Sequence, residues 1–196
     1  TSPLLILLSG PSGVGKDAAL SRMRELGKPF HYTVTATTRR QRPGECDGGD
    51  YIFVTKEAFR RMIDGGELLE WAEVYGNLYG VPKGQVADAL ERGEDVIIKA
   101  DVQGAATIRR LAPEAISIFL TPGDREELAQ RLARRMTESP EALSLRIKTA
   151  DAEMEEAQTF DHIVVNREGR LDETVREIGA VVAEEHRRRP RRTVSL

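Results

Sequence analysis

The stretch that decides the fold runs Leu4-Leu5-Ile6-Leu7-Leu8-Ser9-Gly10-Pro11-Ser12-Gly13-Val14-Gly15-Lys16-Asp17. Leu4 to Leu8 is an unbroken apolar run with no alternation, as a central strand buried on both faces of a parallel sheet requires. Ser9 and Gly10 end it. From Lys16 the period changes: Ala19, Leu20, Met23 and Leu26 share one helical face, and Gly27 followed by Pro29 supplies a stop. The segment therefore predicts a strand, a glycine-rich loop and a helix.

The loop carries chemistry. Gly10, Gly13 and Gly15 let the backbone curl so that its amides point inward, the helix dipole adds partial positive charge, and Lys16 reaches toward terminal phosphates. Gly10-Pro11-Ser12-Gly13-Val14-Gly15-Lys16 fits the first seven positions of the Walker A pattern, between a buried strand and a helix where that pattern has meaning. The ligand it predicts is a nucleoside triphosphate. The eighth position calls for a Ser or Thr hydroxyl near magnesium, and here it is Asp17. A carboxylate is itself a hard oxygen ligand, so Asp17 either meets the metal or one of its waters, or pairs with a nearby cation.

Working outward, buried-strand runs return at Val96-Ile97-Ile98, Ile116 to Leu120 and Ile163-Val164-Val165, with helical stretches between them. This alternation indicates an α/β fold with a parallel sheet. The strand at Ile97-Ile98 delivers Lys99-Ala100-Asp101-Val102-Gln103-Gly104 at its carboxyl end, where such sheets bind ligands, which places Asp101 at the site. Residues from about Tyr32 to Pro82 read differently, as short segments such as Tyr51 to Val54 separated by the turn-rich Arg42 to Asp50, and predict a small mixed β insertion. Lys56 and Glu57 read as the exposed face of a short helix, and Cys46 and Trp71 as a loop residue and a packing residue. Ser139-Pro140-Glu141 predicts a helix start, with the arginine-rich stretch before it as a surface hairpin. Leu171, Val175, Ile178 and Val182 predict a final amphipathic helix. His186 to Arg192 has no apolar face and reads as a solvated tail.

Composition bounds the function. A chain of 196 residues, 40% hydrophobic and 31% charged, suits one soluble core with room for small insertions. The single cysteine excludes an intramolecular disulfide or cysteine-rich metal site and suits a reducing cytoplasm. Leu4 to Leu8 is far too short for a bilayer and lacks the flanks of a signal peptide, so the chain reads as cytosolic with no membrane partner. A net charge of -3 argues against a nucleic-acid coat.

In the insertion, Thr37-Thr38-Arg39-Arg40-Gln41-Arg42-Pro43-Gly44-Glu45 is followed in order by Gly49-Asp50-Tyr51-Ile52-Phe53, Glu67-Leu68-Leu69-Glu70-Trp71-Ala72 and Tyr79-Gly80. With the phosphate loop, this ordered set resembles the guanylate kinase family from Leu4 to about Asn166. The resemblance implies that Arg39, Arg42, Tyr51 and Tyr79 grip an acceptor phosphate, and that Thr35, Glu70 and Asp101 address a guanine base. Physical chemistry agrees: two guanidinium groups supply paired donors of fixed geometry for a dianion. A Glu70 carboxylate accepts from both the ring N–H and the exocyclic amine of guanine, a donor pair adenine lacks on that edge. Arg131, Arg135 and Arg146, with Arg134 beside them, resemble the family's lid, whose arginines close over the triphosphate, and Asn166 resembles the residue near the adenine of ATP.

The resemblance thus implies a P-loop core (1–31, 84–123 and 149–185), an insertion for the nucleoside monophosphate (32–83), a lid (124–148) and a basic tail (186–196). It implies phosphorylation of GMP and dGMP by ATP with Mg2+, by in-line transfer, with Lys16, Arg131, Arg135 and Arg146 catalytic. Three positions depart from the family pattern: Asp17 stands for Ser or Thr, Val81 for a hydroxyl residue, and Lys99 for an acid. They suggest that acid and cation have exchanged places, with Lys99 balancing Asp17. Asp17 and Val81 are also features of ribosyl bisphosphate phosphokinase, a relative with no guanine to recognise and so no need of Glu70-Trp71. A guanylate-kinase-like binding module without catalysis is the third reading, in which an intact phosphate loop would be idle.

Overall fold

The computed structural model describes residues 2–74, 76–134 and 140–188. In chain order the first half contains β1 (Leu5–Ser9), α1 (Lys16–Glu25), β2 (Phe30–Tyr32), β3 (Ala36–Thr37), β4 (Ile52–Phe53), α2 (Lys56–Asp64), β5 (Leu68–Val74) and β6 (Asn77–Pro82). The second half contains α3 (Lys83–Glu91), β7 (Asp95–Lys99), α4 (Val102–Leu111), β8 (Ile116–Thr121), α5 (Arg125–Arg134), α6 (Pro140–Glu155), β9 (His162–Val165) and α7 (Leu171–Arg187).

The central sheet is parallel throughout, ordered β2-β7-β1-β8-β9. Both faces are covered, which is why β1 has no polar alternation. Leu4, Ile6 and Leu8 pack with Ala19 and Met23 of α1 and Val175 and Ile178 of α7. Leu5 and Leu7 pack on the opposite face with Val86 of α3 and Ile108 of α4. β1 is flanked by β7 and β8, so the strand order reverses there, and the carboxyl ends of β1 and β7 open the crevice where ligands bind in such sheets.

The β insertion is a second, mixed sheet ordered β4-β3-β6-β5, in which β3 and β4 are parallel and the other pairs antiparallel. Its own small core holds Ala36, Phe59 and Leu68, all buried. Helix α2 covers it, capped by Thr55, whose hydroxyl accepts from the Ala58 amide at 3.1 Å, and its Lys56 and Glu57 are exposed. Where the chain leaves the core for this sheet, the Gln85 side chain of α3 clamps Val34. The Val34 amide donates to Gln85 Oε1 at 2.8 Å, and Gln85 Nε2 donates to the Val34 carbonyl at 2.8 Å.

Three expectations need correction. The arginine-rich stretch through Arg134 forms helix α5 rather than a hairpin, because Leu128 and Leu132 bury one face against Ala150, Leu143 and Ile147 of α6. Trp71 is 49% exposed on β5 and does not pack in a core. The last helix runs past His186, which the sequence assigned to a solvated tail. His186 Nε2 lies 2.7 Å from Asp95 Oδ2, and the neighbouring Glu185 is buried beside His162 at 2.7 Å, so polar partners hold this turn where apolar periodicity has stopped. Residues 189–196 of that tail, Arg135, and the 136–139 stretch lie outside the described residues. Among the described residues, no helix is long and apolar enough to cross a membrane.

Candidate active site

The phosphate loop leaves β1 at its carboxyl end. Gly10, Gly13 and Gly15 have φ of 143°, 83° and 102°, a region that side chains with a Cβ rarely adopt. A Cβ on Gly15 would also stand 2.5 Å from Asn166 Nδ2. That asparagine donates to the Val14 carbonyl at 2.8 Å, and Arg131 Nη1 donates to the same oxygen at 2.7 Å. Lys16 Nζ bonds to the carbonyls of Gly10 (2.5 Å) and Pro11 (3.2 Å). Burial pulls its ammonium down to about 8, with Glu153 and Asp17 opposing. A buried cation without an anionic ligand is destabilised, so the loop favours an incoming phosphate. One anion is already at hand: the Ser12 amide donates to Glu153 Oε2 of α6 at 3.0 Å.

Across the crevice lie two adjoining cavities. One, of about 330 Å³, is lined by Thr35, Glu70 and Asp101 together with Lys16 of the phosphate loop. The other, of about 350 Å³, is lined by Arg39, Arg42 and Glu45. Thr35, Asp17, Tyr51, Tyr79 and Lys99 border both. The structure therefore brings together all seven residues expected to bind the acceptor.

Asp101 caps α4 by accepting from the Gly104 amide at 2.7 Å. The Glu70 carboxylate lies over this first turn, where a Cβ on Gly104 would come 3.1 Å from Glu70 Oε2. Burial, then the neighbouring Asp101, pushes the Glu70 carboxyl up to about 7. Arg39 is held bidentately by Glu45, at 3.1 and 2.8 Å, and lies over the Tyr51 ring at 5.1 Å. Glu45 also accepts from the Arg42 amide at 2.8 Å, so this one carboxylate orders the whole arginine segment.

The three departures resolve physically. Lys99 Nζ donates to Asp17 Oδ1 at 2.6 Å, the exchange of acid and cation that the sequence suggests. Burial pulls Lys99 down, but Asp17 and Tyr51 outweigh it and hold the ammonium above its ordinary range. Val81 is 1% exposed, within the same apolar cluster as Leu69 and Val86, so its methyl groups serve packing.

On the other side of the loop, a third cavity of about 330 Å³ is lined by Gly13, Gly15, Arg131, Arg134 and Asn166. Asn166 is only 4% exposed and its amide is engaged within the protein, donating to Val14 and accepting from Thr174 Oγ1 at 2.9 Å. It braces the loop while lining this cavity. Arg131 also reaches the Asn166 carbonyl at 2.8 Å and pairs with Glu127. Arg146 is half-buried on α6, two turns before Glu153 on the same helical face. Glu45, Glu153, Gln85 and Gly104 carry no role in the sequence reading. Glu45 is visible within the arginine segment, but nothing local marks Glu153, whose partner is 141 residues away.

A phosphate loop at the switch point of a parallel sheet, facing a cationic acceptor cavity, defines a P-loop phosphotransferase. The sequence model of guanylate kinase matches residues 2–185. Guanylate kinase 2, chloroplastic/mitochondrial, of Oryza sativa is 45% identical over 99% of this chain and 68% of its own length. The guanylate kinase of Symbiobacterium thermophilum is 42% identical over 98% of this chain and 90% of its own. The crystal structure of guanylate kinase from Anaplasma phagocytophilum superposes with a TM-score of 0.78 at 31% identity, covering 96% of this chain and 89% of that one. The chain belongs to the guanylate kinase family.

Proposed function

We propose that the protein transfers the γ-phosphoryl group of ATP to GMP, and to dGMP, giving ADP and the nucleoside diphosphate. The observation that carries this reading is that Lys16 and Glu70 line one cavity, so that a donor-phosphate cation and a guanine-reading carboxylate face the same space. Gly10 to Asp17 would cradle the donor phosphates. Arg39, Arg42, Tyr51 and Tyr79 would hold the acceptor phosphate, with Thr35, Glu70 and Asp101 on the base. Asn166 would lie near the adenine of ATP while it braces the loop.

An ionised acceptor phosphate is its own nucleophile, so no general base and no covalent intermediate are needed. Positioning and charge neutralisation do the work. Lys16, Arg131, Arg135 and Arg146 would meet the charge that spreads over the transferring group. The segments 32–83 and 124–148 would act as acceptor-binding and lid units that close over a core formed by 1–31, 84–123 and 149–185, excluding water. Asp17 would hold Mg2+, or one of its waters, through a hard carboxylate oxygen at the end of the loop. When bound, Mg2+ supplies charge neutralisation on the triphosphate. We place the protein in the cytoplasm, with nucleotides rather than nucleic acid or membrane as its partners.

A coupled ADP-release assay with ATP and Mg2+, comparing GMP, AMP, UMP and ribose 1,5-bisphosphate, tests the reading. Turnover with GMP is expected. Activity confined to the sugar bisphosphate would overturn it in favour of ribosyl bisphosphate phosphokinase, which has no use for Glu70.

A further inference from the structure

Lys99 is the last residue of β7, so its stem leaves the sheet at the edge that faces the crevice. The side chain is only 27% exposed, and its ammonium stands 2.6 Å from Asp17 Oδ1 and 5.5 Å from the centroid of the Tyr51 ring. It borders both acceptor cavities, between the one that holds Glu70 and the one that holds Arg39 and Arg42. The same boundary is where the phosphate of a nucleotide would lie if its base met Glu70.

The charges there are finely balanced. Arg39 spends both terminal nitrogens on Glu45, and Asp17 lines the same cavity as Arg39 and Arg42, where an acceptor dianion would sit. Without a cation between them, carboxylate and phosphate would repel. An ammonium has three donors, so one can stay on Asp17 while others turn to a phosphate oxygen.

We propose that Lys99 is a binding residue for the acceptor phosphate, a third cation beside Arg39 and Arg42, and that Asp17 holds its ammonium in place. Resting on the GMP reading above, this assigns Lys99 a task beyond balancing Asp17.

Equilibrium titration without ATP or Mg2+ separates the two roles, using GMP and guanosine as probes on the unsubstituted chain, Lys99→Met, Lys99→Arg, and the double variant Asp17→Asn/Lys99→Met. Lys99→Met is expected to weaken GMP by about 10- to 100-fold, the loss typical of a hydrogen bond to a charged group, and to leave guanosine unchanged. Lys99→Arg should retain most of the affinity, and the double variant should not recover it. Unchanged GMP affinity in Lys99→Met, an equal loss for guanosine, or full recovery in the double variant would each overturn the assignment while leaving the GMP reading standing. An unsubstituted chain that binds no GMP would overturn both.

Discussion

Glu70 is asked to be half-buried and ionised at once. Its carboxyl is pushed up to about 7, chiefly by burial and then by Asp101, yet the proposed recognition of two guanine donors requires the carboxylate. As pH falls from about 8 to about 6, protonation should raise the KM for GMP by about tenfold, and in Glu70→Gln this dependence should vanish while KM rises about 100-fold throughout. The linkage has a definite sign. A folded value above the ordinary 4.5 means that the native state holds the proton more tightly than the unfolded chain. The group's stabilising contribution is therefore complete below the ordinary value and lost as pH rises through about 7. Glu70→Gln should accordingly be more stable than the unsubstituted protein at about pH 8, by about 2 kcal/mol, with the gap narrowing toward about pH 5 in thermal melts. At this scale the sequence was informative where a motif fixes a side chain's surroundings, as for Lys16, Glu70 and Arg39. It was silent on Gly104, whose missing Cβ matters only because Glu70 lies on it in three dimensions.

At the scale of elements, the strands were legible because burial on both faces leaves continuous apolar runs, and α1 because its start coincides with the phosphate loop. Helix α5 was not, since its many charges obscure the two leucines that dock it on α6. The contact between Glu153 of α6 and the Ser12 amide was equally hidden, because sequence periodicity says nothing about which distant loop a helix end meets. That contact puts a carboxylate against a donor that the proposed function assigns to phosphate. Glu153→Ala should tighten ATP binding measured without acceptor, by about threefold, in line with the net worth of one hydrogen bond. A weakening would instead mean that Glu153 shapes the loop for its ligand. Arg131 holds Val14 from the other side, so Arg131→Met should lose kcat more than it gains or loses in ATP affinity, by about 100-fold, when turnover and equilibrium binding are compared.

For the whole molecule, the parallel core and the inserted mixed sheet follow from the change of pattern near Tyr32, but the connection between them does not. It depends on Gln85, whose amide matches the donor and acceptor of Val34 as a neighbouring strand would. Gln85→Ala should leave the core intact and loosen the angle between core and insertion. The expected readout is a larger radius of gyration by solution scattering in the free protein, with normal compaction when ATP and GMP are both present. Trp71, the single tryptophan of the chain, lies half in water on β5, one residue from Glu70 and on a sheet separate from the phosphate loop. The protein thus carries its own optical label on the segment proposed to hold the acceptor. Indole emission, followed by stopped flow after GMP is mixed with the unlabelled chain, would time the arrival of the acceptor apart from the chemistry that follows.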